Sequence, residues 1–285
     1  MNRSLFRMGL GLLVAFFGFI SYLSTTVKNP VTGEKQHVQL SPRQEVALGL
    51  QARQEMAAEY GGLYPDSALQ EYIEQVGQRV VRQSSAARAG YPFDFHLLRD
   101  SQTVNAFALP GGQVFITAGL MKRLQSEAQL AGVLAHEVGH VIGRHAAEHL
   151  AKQQLGSTLV TAVGVAASDE QGRGRQAAAV AQVVNQLAKL RYGRGDELES
   201  DQLGVRFMSE AGYDPRAMVE VMEILESARS GSAQPEFLST HPNPGNRSQR
   251  LRELIAQTYP NGVPANLESG RDKFSKNVLP RLAGR

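Results

Sequence analysis

The stretch LAHEVGHVIGRHAAEHL, residues 134–150, holds His136, His140, His145 and His149, in a chain with only seven histidines. Residues i and i+4 of a helix lie about 40° apart, so His136 and His140 converge on one side and can share an ion. This is the H-E-x-x-H pattern, in which Glu137 faces the same site as a base without being a ligand. Five residues past His140, His145 is turned about 140° away, and His149, nine past, about 180°. Both are read as surface or supporting residues rather than ligands. The longer pattern H-E-x-x-H-x-x-G-x-x-H is matched by Gly143 but fails at its last position, which is Ala146.

Two histidines do not complete a zinc site, which needs a third protein ligand and an open position for water. There are no cysteines, so thiolate ligands, disulfides and cysteine nucleophiles are excluded. Downstream, RGDELESDQLGVRF, residues 194–207, offers Glu197 and Asp201 at i, i+4. One can bind the metal while the other hydrogen-bonds the free ring nitrogen of a ligating histidine. Glu199 points to another face.

Around these motifs the chain reads as α+β. Ser41, Pro42 and Gln44 open a helix with a capping box, and a second helix runs from about Asp66 to Gln83. The period then shortens: FDFHLLR, VNAFALP and QVFITAG are β-forming segments, with Pro110, Gly111 and Gly112 as a turn, and predict a small antiparallel sheet. Helices follow from Ser126 to about Lys152, from Asp196 to about Ala211, and after Asp214 and Pro215. An Ala/Val-rich segment between Gln153 and Lys189 reads as two packed helices or as a lid. With no repeating βαβ order, a doubly wound fold is excluded. The expected organisation is an N-terminal segment 1–28, a linker 29–40, a domain 41–270 and a basic tail 271–285.

The N-terminal segment carries Arg3 and Arg7 ahead of an apolar run, residues 8–27, whose length of about 20 residues suits a bilayer. Its charge bias predicts a cytoplasmic N-terminus and a body on the far side, with an uncleaved anchor favoured over a cleaved signal peptide that would leave the protein secreted to the periplasm. A formal net charge of +3, with scattered Lys and Arg, leaves no nucleic-acid footprint. Oligomeric state is not set by these features.

VNAFALPGGQVFITAGL, LAHEVGHVIGRHA, RGDELESDQLGVRFMSEAGYDP and STHPNPGNR together resemble the membrane-associated gluzincin metallopeptidases. That group includes the CaaX prenyl endopeptidases, heat-shock protease X and the Oma-type envelope proteases. The resemblance runs from about Ser41 to Leu254 and is nearest to envelope members with one N-terminal hydrophobic segment, since no helical-repeat domain follows. It implies a mainly helical zincin domain holding one zinc ion per chain on His136, His140 and Glu197, with Asp201 supporting a ligand. It implies Glu137 as general base and His241 as a second catalytic group, either a donor to the oxyanion or a cap on the metal in a latent state. Substrate is expected to pair with the strand containing Asn105, Ala106 and Phe107, with Arg247 either orienting substrate or bracing its loop. Gly193-Arg194 replaces the usual Ser-Arg and Ser200 the usual Ala, and neither change removes a ligand. The implied function is hydrolysis of misfolded or unassembled envelope proteins. The alternative is a non-proteolytic chaperone or assembly factor with a structural zinc.

Overall fold

The computed structural model describes residues 26–152, 186–187, 190–228, 235–242 and 246–283. The apolar run at residues 8–27 lies outside them except for Thr26 and Val27, and the Ala/Val-rich segment lies almost wholly outside them. No helix among the described residues is long and apolar enough to cross a membrane.

The described residues begin with a hairpin of β1 (Thr26–Lys28) and β2 (Lys35–His37), followed by α1 (Pro42–Glu59) and α2 (Ser67–Arg82). Ser41 and Gln44 form the expected capping box of α1, and Asp66 caps α2 through the amides of Ala68 and Leu69. Strands β3 (Asp94–Leu98), β4 (Ala106–Leu109) and β5 (Gln113–Thr117) make one sheet in the order β3-β5-β4. The antiparallel sheet expected from the sequence is corrected to a mixed one: β4 and β5 form an antiparallel hairpin, but β3 runs parallel to β5. Alternation of apolar residues identifies strands without their direction, and the excursion through residues 99–105 brings the chain back along the far side of β5.

A short α3 (Ala118–Met121) leads into α4 (Glu127–Ile142), which carries the H-E-x-x-H motif, and every residue of α4 is buried. Being apolar nearly all round suits a helix enclosed by neighbours rather than laid on a surface. It is surrounded by α2, the sheet, α6 (Arg194–Glu210) and α7 (Ala217–Ala228). The approach of α6 is set at Gly139, where an added Cβ would lie 3.0 Å from Ser200 Cα.

The single helix expected from Ser126 to Lys152 is two. α4 stops at Ile142, and α5 (His145–Lys152) starts again after Arg144, whose φ of 56° is the one positive value at a non-glycine among the described residues. The reason lies in the segment set aside as a linker. Asn29 Nδ2 donates to Ile142 O at 2.6 Å and Gln36 Nε2 to Gly143 O, so the hairpin satisfies the last carbonyls of α4. Arg144 is held in turn by Glu45 at 2.8 Å and by the carbonyl of Leu40.

The remaining elements are α8 (Glu236–Thr240), α9 (Arg247–Thr258), α10 (Arg271–Asn277) and α11 (Leu279–Ala283). The segment read as a tail packs onto the domain: Phe274, Val278 and Leu282 join the main core, and Lys273 Nζ pairs with the buried Glu127 at 2.8 Å.

Candidate active site

Two faces of contact create the site. α4 presents His136, Glu137 and His140 on its buried middle turns, and α6 lies against it through Gly139 and Ser200, so that Glu197 and Asp201 come opposite the histidines. α8 then closes the third side with His241 at its C-terminal end. One ligand atom from each of His136, His140, Glu197 and His241 lies within 4.8 Å of all the others, and all four residues are buried. His136 Nε2 and His140 Nε2 are 3.0 Å apart, and each faces a Glu197 oxygen, at 3.6 and 3.4 Å respectively.

The surrounding groups orient this cluster. Asp201 Oδ1 is 3.1 Å from His136 Nδ1, which fixes the proton there and turns Nε2 inward. Arg247 grips Asp201 with two aligned bonds, Nε to Oδ2 at 2.8 Å and Nη2 to Oδ1 at 2.7 Å. Its Nη1 is 2.6 Å from Glu197 Oε2, in ion-pair distance, though neither atom has a hydrogen-bond partner. Arg247 is therefore buried and occupied by carboxylates, and its Nη2 also lies 3.1 and 3.2 Å from Nδ1 and Nε2 of His136. His241 Nδ1 lies 2.9 Å from Thr240 Oγ1 and 3.2 Å from Phe237 O, and a proton on Nδ1 satisfies both acceptors and turns the lone pair of Nε2 toward the cluster. The ring of Tyr192 stacks on His140 with centroids 3.8 Å apart.

Burial disfavours every charge here. It lowers His136 to about 4, with Arg247 adding to the effect, and holds His140 and His241 well below the usual histidine value. It pushes Glu137 well above the carboxylate range, helped by the neighbouring Glu197. Glu197 itself rises to about 8 because burial outweighs its unaligned pairing with Arg247. Asp201 goes the other way: burial would raise it, but Arg247 and His136 together hold it below its ordinary value.

These residues fit zinc. Both oxygens of Glu137, both of Glu197 and Nε2 of His241 are buried without a hydrogen-bond partner, and the ligand atoms of Glu197 and His241 lie within 4.8 Å of those of His136 and His140, a donor set suited to a metal ion. Neutral imidazole nitrogens and a carboxylate are zinc's preferred ligands in a cysteine-free site.

Of the residues read from sequence, His136, Glu137, His140, Glu197, Asp201 and His241 are brought together. Asn105 is buried, and its amide nitrogen donates to Glu236 Oε1 at 3.0 Å and Tyr60 Oη at 3.2 Å, while its Oδ1 has no hydrogen-bond partner. Ala106 is buried, and Phe107 is half-buried against Phe115 and Tyr60. Four contributors were missed. Tyr192 and Glu236 carry no motif. Asn29 and Gln36 sit in what reads as a polar linker.

A helix-borne HExxH with a glutamate from a second helix defines a gluzincin-type zinc metallopeptidase site. The chain belongs to peptidase family M48, whose model matches residues 67–255. It is 35% identical over 237 residues to the beta-barrel assembly-enhancing protease of Yersinia pestis, covering 81% of this chain and 48% of that protein. The protein of the same name from Escherichia coli K12 is 32% identical over 240 residues, 78% of this chain and 48% of its own. The mitochondrial metalloendopeptidase OMA1 of Schizosaccharomyces pombe is 29% identical over 257 residues, 88% of this chain and 73% of its own. The chain thus spans about half the length of these bacterial relatives.

Proposed function

We propose that this chain is a zinc endopeptidase of the cell envelope, anchored through residues 8–27 with its domain on the extracytoplasmic side. Its proposed substrates are misfolded or unassembled envelope proteins. The names of the bacterial relatives point to β-barrel assembly as the setting. The observation that carries the reading is the buried cluster of His136, His140, Glu197 and His241, whose ligand atoms lie within 4.8 Å of one another, with Glu137 beside it, free of hydrogen bonds and 3.5 Å from His241 Nε2.

His136, His140 and Glu197 would hold the ion. Zinc, when bound, supplies a Lewis acid for the peptide carbonyl and a route to activated water near neutral pH. Glu137 takes the proton of the attacking water and returns it to the departing amine. Its burial serves both steps, because a carboxylate raised from its usual range is a stronger base. Asp201 and Arg247 keep His136 in the ligating tautomer. Among the described residues β4 lies at the end of its sheet, and its outer side is the proposed docking edge for an extended substrate, supported by the place where Ala108, Leu109 and Pro110 meet His140 and Tyr192.

A second reading is favoured by His241. As a neutral ring with Nε2 turned inward it completes four protein ligands, which closes a tetrahedral zinc and leaves no position for water. By this reading the described arrangement is latent, and hydrolysis requires His241 to withdraw. Removal of the ring separates the two. If His241 is a cap, His241→Ala raises cleavage of an unfolded protein such as casein. If it acts as a donor when protonated, the same change lowers cleavage by about a hundredfold.

A further inference from the structure

His140 has a support of its own, which the H-E-x-x-H pattern does not include. Its Nε2 faces Glu197 and His136, so its proton belongs on Nδ1. That nitrogen lies 2.9 Å from Nδ1 of His145, and His145 Nε2 lies 3.1 Å from Glu199 Oε2. A carboxylate accepts only, which places the His145 proton on Nε2 and leaves its Nδ1 to accept from His140, with Ser200 Oγ farther off at 3.5 Å. One tautomer satisfies the whole chain of contacts.

The backbone is shaped for this contact. After Ile142 the helix stops, Arg144 takes the left-handed conformation at φ 56°, and α5 starts again at His145, whose ring lies against Gly143. Its Nε2 would be 2.4 Å from a Cβ at position 143, so only glycine leaves room. A left-handed non-glycine residue costs about 1–3 kcal/mol and persists where its surroundings enforce it. Here Glu45, Leu40 O and the Asn29 and Gln36 caps enforce it. His145 itself is buried, with 3% of its surface exposed, while Glu199 reaches partly into solvent.

We infer that His145 and Glu199 form a positioning relay for His140, the counterpart of Asp201 for His136. His145 holds the ring of His140 with Nε2 toward the metal, and Glu199 holds His145 in the accepting tautomer. This rests on the zinc-site reading above. The two supports differ in kind: His136 meets a carboxylate directly, whereas His140 meets one through a second imidazole. Tyr192 against the face of His140 leaves that ring only the His145 direction for its Nδ1 proton.

The test uses the full chain stripped of metal and reloaded with zinc or cobalt(II). Removing such a support costs about 10–100-fold in metal affinity. His145→Ala should fall in that range by competition with a chelator, with a changed cobalt absorption spectrum. His145→Asn, whose Oδ1 can take the place of Nδ1, should recover to within about threefold of the parent. Gly143→Ala should behave as His145→Ala does. Independently of variants, two-bond proton–nitrogen NMR of the zinc-loaded protein should find the protons on Nδ1 of His140 and Nε2 of His145. A proton on Nδ1 of His145, or equal metal affinity of the Ala and Asn variants and the parent, would overturn the relay while leaving the zinc site intact. A parent protein that binds neither metal would overturn the site reading and the relay with it.

Discussion

Glu197 is raised to about 8 by burial in the metal-free protein, and its carboxylate form is the one that can hold a cation. The sign of the pH dependence follows. A carboxyl group whose folded value exceeds its unfolded one stabilises the protein below the unfolded value, and that contribution is lost as pH rises through the folded value. The metal-free protein should therefore lose stability from about pH 4.5 to about 8. Zinc affinity should rise through the same window by roughly tenfold per pH unit, as the ion displaces a proton. Melting temperatures with and without chelator, taken between those limits, check both halves. Arg247 makes a second expectation at this scale. Arg247→Met leaves Asp201 buried without its two aligned partners, and should cost about 3–5 kcal/mol in denaturant unfolding. The ligands were legible because helix geometry fixes their spacing. The engagement of Arg247 was not, since a residue six positions past His241 can turn either way until α9 is placed.

Helical spacing failed as a guide at the point where the helix itself ends. Rotation along an unbroken helix carried His145 away from the site, and it is indeed outside the four-ligand cluster. Yet the break at Gly143 and Arg144 brings it onto His140 by another path. The break depends on side chains about a hundred residues earlier, and local pattern does not contain them. Asn29→Ala should leave the carbonyl of Ile142 unpaired and cost about 1–3 kcal/mol, measured as a lowered melting temperature. The meeting of α4 and α6 makes a stricter demand. Gly139→Ala presses a methyl group against Ser200, and overpacking of about 1–3 kcal/mol should appear together with weaker zinc binding, because Glu197 and Asp201 ride on α6.

Over the whole molecule, α4 is enclosed from both ends of the chain. The N-terminal hairpin caps its last turn, and the C-terminal helices cover its first: Ala128 N donates to Ser269 O at 3.0 Å, and Phe274 packs against Tyr72. Composition made residues 271–285 look like a basic appendage, because a few apolar positions scattered among charged ones do not register as a core-forming pattern. Phe274→Ala should cost about 3–5 kcal/mol, so truncation before Arg271 should unfold the domain rather than free its cleft. Hydrophobic pattern and capping residues made the helices legible, and the strands as strands. Sheet direction and the docking of both termini depend on contacts distant in sequence. The most direct test of the active-site reading is Glu137→Gln in the full chain, with zinc content and cleavage of an unfolded protein measured on the same sample. Zinc content should be unchanged while cleavage falls by at least about 10²–10⁴-fold. Full cleavage that is still abolished by a chelator would contradict the assignment of Glu137 as the base.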